Sequence, residues 1–206
     1  MYIPATHAET NPDRLHEFMR RNSFATLVSR NQTSMVASHL PLLLDVDAGS
    51  MGILLGHMAR ANSQWRDING EVMVIFNGPH VYVSPTWYES AATVPTWNYV
   101  AVHAYGTAHV VEDRGTLLDI LRRSVDTFES PRPNPWAFDE SASHVDHLIH
   151  SIVGFRIEIT DLQGKWKLSQ NHPEERRRRV IDALEEQPDD DSRRIAAMMR
   201  DAMSRC

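Results

Sequence analysis

Three segments of the chain could bind a ligand, and the first is residues 56–65, Gly-His-Met-Ala-Arg-Ala-Asn-Ser-Gln-Trp. They connect a predicted strand to a predicted short helix, whose first free backbone N–H groups suit a phosphate. His57, Arg60, Asn62 and Ser63 could add donors, and an arginine binds such an anion through two parallel hydrogen bonds. The alternative is a helix start capped by Asn62 or Ser63, with Arg60 in solvent.

The second segment, residues 94–103, places Trp97 and Tyr99 on either side of Asn98, just before a predicted buried strand. Aromatic rings with one or two polar groups form the kind of pocket that binds a flat heterocycle. The alternative is an aromatic corner with a purely structural role.

The third segment, residues 164–173, carries Lys165 and Lys167 on one face of a predicted strand, because side chains two positions apart point the same way. Two lysines on one face could bind a phosphate or a negatively charged ring. The alternative is an exposed edge strand that lysines protect from unwanted pairing.

Histidines are numerous, and there are 11 of them. His103 and His109 lie on one side of a predicted strand, which leaves a haem or metal role open. No single histidine is marked as an axial haem ligand, and we predict no metal site. The only cysteine, Cys206, excludes a disulfide within the chain, and no nucleophilic dyad is visible.

Charge and hydropathy exclude further classes of function. The 206 residues include 21 Lys+Arg and 27 Asp+Glu, so the net charge of −6 gives no global attraction to nucleic acid. The arginine run 176–179 is expected to be a solvated helix face, with a DNA contact as the alternative. No run of 18 apolar residues and no signal-peptide pattern occur, so we expect a cytoplasmic protein without membrane association.

The elements that carry these segments are predicted to be mostly strands. We predict a hairpin over residues 24–44, a second hairpin around a turn at 77–79, and a loop over 84–95. A strand is predicted over 97–111, with an interruption near Gly106. Two further strands, 153–159 and 165–168, are predicted to be joined by a turn at 163–164. Helices are predicted near residues 59–69, over 116–128 and 143–150, and as a pair separated near Pro188. Pro41 indicates an edge strand, a bulge or a ligand-facing strand. The pattern predicts a mainly β chain with peripheral helices (α+β), with a largely antiparallel barrel.

Five segments, in the same order, resemble the PaiB family, whose members are FMN-binding negative transcriptional regulators. They are residues 1–4 (Met-Tyr-Ile-Pro), 38–42 (Ser-His-Leu-Pro-Leu), 56–62, 94–99 (Val-Pro-Thr-Trp-Asn-Tyr) and 167–171 (Lys-Leu-Ser-Gln-Asn). The resemblance implies an FMN-binding split β-barrel related to pyridoxamine-phosphate oxidases and flavin reductases. It also implies a homodimer with the flavin at the subunit interface, a split-barrel domain over residues 1–172, and a helical tail over 173–206 packed on that domain.

The resemblance assigns cofactor-binding roles to several residues. The strand over 38–42 would lie behind the flavin ring, and the turn at 57–62 would hold the phosphate. The segment around Trp97 would close the pocket, with the partner chain as one possible source. The residues implied to bind FMN are His39, Leu40, His57, Arg60, Asn62, Ser63, Trp97, Asn98, Tyr99, Lys167 and Gln170.

Three functions remain open at this point. The first is a negative transcriptional regulator or flavin-dependent sensor, which would act on DNA or through a protein partner. The second is a flavin-dependent oxidoreductase or flavin reductase, since one fold supports many functions and the flavin carries the chemistry. The third is a haem-binding split-barrel protein.

Overall fold

The computed structural model describes residues 1–88, 94–142 and 145–205, and the chain divides into two compact units. The terminal unit comprises Met1–Leu15, Asn77–Val102 and Gln163–Cys206, and the mid-chain unit comprises His16–Phe76 and His103–Leu162. Parts of the loop predicted over 84–95 and of the helix predicted over 143–150, together with Cys206, lie outside the described residues. The domain boundary at residue 172 stays a prediction.

In the described residues, eight strands form one sheet. They are β1 (Ala8–Glu9), β2 (Phe24–Arg30), β3 (Met35–Pro41), β4 (Leu43–Asp45), β5 (Ile53–Ala59), β6 (Gly70–Val83), β7 (Thr96–Val111) and β8 (Ile152–Lys167). The strand order is β3-β2-β6-β7-β8-β5-β4, with β1 beside β8. The pairs β1–β8, β2–β3, β2–β6, β4–β5 and β5–β8 are antiparallel, as the sequence predicts.

The helices lie where the sequence places most of them. They are α1 (Pro12–Arg21), α2 (Arg114–Glu129), α3 (Val145–His150), α4 (Glu174–Glu185) and α5 (Asp190–Ser204). The helices α2 and α5 begin with aspartate caps, because Asp113 accepts from the Thr116 N–H and Asp189 from the Ser192 N–H, both at 2.8 Å. Within the residues that the structure describes, no helix has the length and apolar character needed to cross a membrane.

Each unit buries its own apolar side chains. In the mid-chain unit, Leu27 on β2 and Phe155 on β8 are fully buried, and α2 packs against α3. In the terminal unit, α4 packs on α5 through faces that include Val180, Leu184 and Met199, all fully buried. This packing fixes the direction of α4, whose first turn borders the cavity described below.

Three predicted breaks in the strands are wrong, because β6, β7 and β8 are continuous through residues 77–79, Gly106 and residues 163–164. A Cβ on Gly106 would lie 2.3 Å from the carbonyl oxygen of Glu158, and one on Gly164 would lie 2.3 Å from Cδ2 of Leu15. Gly106 therefore marks a close approach to a neighbouring strand, and Gly164 marks a close approach to a helix side chain, rather than turns. At 77–79, the extended conformation of β6 overrides the local turn preference.

The structure confirms the edge strand, which is one of the three alternatives predicted from Pro41. Pro41 is the last residue of β3, it is exposed, and β3 ends the strand order. An edge strand tolerates the missing N–H, because that position needs no further ladder hydrogen bond.

The close approach at Gly106 predicts a large difference between two glycine substitutions. Gly106→Ala should lower the free energy of unfolding by about 1–3 kcal/mol through overpacking. Gly115→Ala is the matched control, since its Cβ would meet only Oδ2 of Asp113 at 3.4 Å and its φ is not positive. This control should leave stability unchanged or raise it by up to about 1 kcal/mol. Urea denaturation of both variants measures the difference, and equal stabilities would contradict the close approach.

Candidate functional site

A cavity of about 250 Å³ lies in the terminal unit. His7, Lys167, His172 and Arg176 give its wall a basic character, and none of the described residues that line it is Asp or Glu. The other lining residues are Val94, Thr96, Asn98, Ser169 and Asn171. Although the whole chain is acidic, this wall favours an anionic ligand.

Two of the segments singled out from the sequence meet at this cavity through Asn98 and Ser169. Asn98 on β7 is fully buried, and its Nδ2 atom donates to Oγ of Ser169 at 3.0 Å. The same Nδ2 atom contacts Sδ of Met199 on α5 at 3.5 Å. The hydroxyl of Tyr88 lies 3.4 Å from the same Ser169 oxygen. Asn98 therefore joins β7, the end of β8 and α5 at one buried point.

Ser169 has a left-handed backbone, with φ of 60°, and is the one such non-glycine residue in the part of the chain that the structure describes. This conformation is costly for a residue with a Cβ and persists where the surroundings impose it. The Ser169 carbonyl accepts from the His172 N–H at 3.1 Å, which closes the turn before α4. The turn brings His172 to the cavity wall, where its ring lies 4.7 Å from the ring of Tyr88.

Lys167 brings its ammonium group to the cavity at the end of β8. Its Nζ atom donates to Oγ1 of Thr96 and to the carbonyl oxygen of Trp97, the latter at 2.6 Å. Partial burial lowers the pKa of Lys167, and the charge of Lys165 lowers it further. Neutral oxygens thus hold the group in place without compensating its charge.

His7 reaches the same cavity from the N-terminal segment. Its Nδ1 atom lies 3.0 Å from Oε1 of Gln170. Burial lowers the pKa of His7, and the positive charges of Lys167 and Lys165 act in the same direction, against the hydrogen bond to Gln170. On balance, the surroundings favour the neutral imidazole.

The two aromatic residues of the second segment have different surroundings. The side chain of Trp97 is 53% exposed and packs edge-on against Tyr82, with ring centroids 6.0 Å apart. The ring of Tyr99 lies 5.2 Å from the Lys165 ammonium, at a cation–π distance. Trp97 is therefore the aromatic ring with an accessible surface.

A second group of predicted site residues lies in the mid-chain unit around Asn62. Its Nδ2 atom donates to Oγ of Ser38 at 2.8 Å, and its Oδ1 atom accepts from the Gln64 N–H at 3.0 Å. Gln64 is buried and donates through Nε2 to Oγ of Ser29 at 2.9 Å. Asn62 thus ties the turn after β5 to the β3 strand.

Arg60 donates to two backbone carbonyls, from Nε to His150 at 2.9 Å and from Nη2 to Ile152 at 3.0 Å. Its guanidinium also lies 5.6 Å from the Trp65 ring. Since a guanidinium has five N–H groups, these contacts leave donors on the exposed side chain.

The helix predicted near residues 59–69 is wrong in extent. β5 continues to Ala59, and only a four-residue 3₁₀-helix, Ser63–Arg66, follows the turn. Only a few aligned peptide dipoles are present in so short a helix, so an anion at this turn would depend mainly on side-chain donors.

The remaining predicted residues have simple surroundings. His39 is exposed, with Nδ1 3.0 Å from Oγ1 of Thr26, and Leu40 is half-buried on the same strand. His57 is half-buried on β5, and burial lowers its pKa. Ser63 is exposed.

The predicted residues therefore form two groups. Trp97, Asn98, Tyr99, Lys167 and Gln170 lie in the terminal unit, and His39, Leu40, His57, Arg60, Asn62 and Ser63 lie in the mid-chain unit. Sequence reasoning missed His7, Thr96, Ser169, His172 and Arg176 in the cavity wall. Ser169 lies inside the quoted third segment and was recognisable there, whereas His7 has no signal beyond its closeness to the N-terminal tetrapeptide.

Within residues 1–88, 94–142 and 145–205, no group of three or more His, Cys, Asp or Glu residues could hold a metal ion. The Nδ1 atom of His103 is buried without a hydrogen-bond partner, and burial lowers its pKa.

The sequence is similar to a known protein family and to a bacterial protein. Residues 1–161 match the model of the family described as "Putative FMN-binding domain". The chain is 37% identical over 208 residues to the Bacillus subtilis "Protease synthase and sporulation protein PAI 2", covering 100% of this chain and 99% of that protein. These matches confirm the predicted family resemblance.

Solved structures confirm the predicted fold class. The "putative 5-nitroimidazole antibiotic resistance protein" of Bacteroides thetaiotaomicron aligns with a TM-score of 0.58 at 10% identity, covering 77% of this chain and 85% of that one. The "FAD and Heme binding protein" of Mycobacterium smegmatis aligns with a TM-score of 0.55 at 16% identity, covering 78% and 73%. This likeness shows the split-barrel fold, whereas the predicted homodimer stays a prediction.

Burial of neutral histidine predicts acid sensitivity of the fold. His57 has a pKa below its ordinary 6.5 because of burial, so below that pH the unfolded chain binds a proton that the folded chain does not. Stability should therefore fall as the pH drops from about 7.5 to about 5.5. Urea denaturation across this range should show a shallower loss for His57→Gln than for the unaltered protein. The exposed His147→Gln is the control, and it should retain the full slope.

Proposed function

Since the chain belongs to the family described as "Putative FMN-binding domain", we propose that it is an FMN-binding protein of the PaiB type that acts as a flavin-dependent negative regulator. One structural observation carries the proposal. The segments around Asn98 and Lys167, about 70 residues apart, meet at a cavity lined by basic side chains and, among its described residues, by no carboxylate. The donor set fits an anionic cofactor, and FMN supplies redox chemistry when bound.

The two groups of residues suggest a division of roles. Arg60, Asn62 and Ser63, with His57, would hold the phosphate through side-chain donors, and the strand carrying His39 and Leu40 would lie behind the ring. Trp97, Asn98 and Tyr99 would close the pocket, while Lys167 and Gln170 would reach the ring or the phosphate.

We also propose that the protein works as a homodimer in the cytoplasm. An exposed Trp97 in a single chain supports a pocket that a partner chain completes. A single cysteine fits a reducing compartment.

The arginine run supports regulation through a protein partner rather than by direct DNA contact. On α4, Arg178 pairs with Glu174, and Arg179 pairs with Glu175. On α5, Arg193 pairs with Asp190. These three guanidinium groups are paired with carboxylates of their own helix, so they form no basic patch of the kind that binds phosphates. Arg177 is buried, so the expected solvated face does not extend over the whole run.

A flavin reductase activity is the second candidate function, and Lys167 is the observation that favours it. Its weakly compensated positive charge in the cavity would stabilise negative charge that develops on a bound ring. Anaerobic addition of NADH or NADPH to the FMN-loaded protein tests this role. Loss of the flavin absorbance supports the reductase, and an unchanged spectrum rejects it.

The phosphate assignment predicts a selective effect of Arg60→Ala. Loss of a charge-assisted hydrogen bond costs about 1.5–3 kcal/mol, which corresponds to roughly 10- to 100-fold weaker FMN binding. Riboflavin lacks the phosphate, so its affinity should not change. Flavin fluorescence titrations measure both ligands.

Arg66→Ala is the matched control for this prediction, because Arg66 lies 5.5 Å from the same Trp65 ring. It should leave FMN binding unchanged. Equal losses for FMN and riboflavin in Arg60→Ala would contradict the phosphate role, and a haem Soret band in the purified protein would favour the haem-binding alternative.

The paired arginines predict no specific retention of promoter DNA, even at low salt. An electrophoretic mobility assay over a salt series measures this, with an unrelated duplex of the same length as the control. Binding that is specific at low salt and weakens as salt rises would reveal phosphate contacts and contradict the prediction.

A further inference from the structure

The hydrogen bonds of Gln170 determine which nitrogen of His7 carries a hydrogen. Oε1 of Gln170 accepts from the Leu168 N–H at 2.7 Å, and Nε2 donates to the Trp166 carbonyl. These two backbone contacts fix the orientation of the amide, so the atom facing His7 is an acceptor. Nδ1 of His7 must therefore be the donor in the 3.0 Å contact, and in the neutral ring Nε2 carries a lone pair.

We infer that the Nε2 lone pair is available to a ligand in the cavity. His7 is 8% exposed, lines the cavity, and directs Nδ1 to Gln170, so Nε2 is the polar atom that it offers to a ligand. The backbone of Thr6 also contributes a hydrogen bond to the imidazole, and this bond favours the protonated ring. A buried, fixed imidazole nitrogen at a cavity wall is a site that can take up one proton.

The charges around His7 are nearly all positive. Lys165 and Lys167 face it from β8, and His172 and Arg176 share the cavity wall at the start of α4. On its own segment, Glu9 is paired with Arg14. A proton on His7 would therefore be unfavourable unless a negative charge enters the cavity.

We propose that this cavity binds an oxyanion, a phosphate or carboxylate group, and that His7 takes up a proton from solvent at Nε2 and donates it in a hydrogen bond to the bound oxygen. Lys167 contributes a second donor. An ammonium has three N–H groups, and the bonds to Thr96 and Trp97 use two of them. This proposal does not require that FMN be the ligand. The oxyanion comes either from a separate small molecule or from a flavin phosphate.

Coupled proton uptake sets the direction of the pH dependence. Burial and the neighbouring lysines lower the pKa of His7 in the empty cavity, whereas a bound oxyanion would raise it by favouring the imidazolium form. Affinity should therefore increase as the pH falls through the ordinary histidine range. Each unit by which the oxyanion raises the pKa corresponds to about tenfold tighter binding to the protonated form.

Nuclear magnetic resonance of the full-length protein with ¹³C-labelled histidine tests the proposal, using inorganic phosphate and acetate as probes. One histidine resonance should shift on phosphate addition and titrate at higher pH in its presence, by about one unit or more. That resonance should be absent in His7→Gln. In the exposed His147→Gln, the control variant, it should respond as in the unaltered protein.

Two further measurements keep the test independent of folding and of FMN binding. Calorimetry of the unaltered protein in two buffers of different ionisation enthalpy should show proton uptake on phosphate binding.

FMN and riboflavin are then added separately. A shift of the His7 resonance by FMN alone, with displacement of phosphate, identifies the flavin phosphate as the oxyanion, and simultaneous binding identifies a separate small molecule. If phosphate, acetate and FMN all leave the His7 resonance unchanged, the proposed site is wrong, whether or not FMN binds elsewhere.

Discussion

The hydrogen bond between Asn98 and Ser169 is the contact on which the cavity depends. It joins residues 71 positions apart and is buried, so removing one partner would leave the other with only the longer contacts to Tyr88 or Met199. It also holds Ser169 in a left-handed conformation that its local sequence disfavours. Because Lys167 precedes this turn and His172 follows it, their placement in the cavity wall depends on this contact.

Charge placement gives the cavity its selectivity. The chain has six more acidic than basic residues, yet Glu174, Glu175 and Asp190 pair with arginines of their own helix at short spacing. Exposed pairs of this kind contribute little to stability, but they compensate the arginine charge locally. In the cavity, by contrast, no carboxylate balances Lys167 among the described lining residues. A net acidic chain thus presents one concave surface suited to anions.

The sequence predicts a mainly β chain, the pair of helices separated near Pro188, and the segments that carry the site. These features are predictable because alternation and ordered motifs are local signals. The prediction fails at Gly106 and Gly164, where glycine permits both turns and close approaches and only the neighbouring backbone distinguishes them. It also fails at His7, whose role arises from an amide 163 positions away. Residues whose function comes from long-range contacts leave no periodic pattern, so a single sequence does not mark them.

Burial of the histidines lowers the charge of the cavity wall before an anion binds. A cavity walled by permanently charged groups would carry a desolvation cost whenever it is empty. Burial instead lowers the pKa of His7 and His172, which favours the neutral form of both rings when no anion is bound. An entering anion reverses this tendency by favouring the protonated forms. The charge of the two histidines then depends on the bound ligand, which makes occupancy of the cavity sensitive to pH.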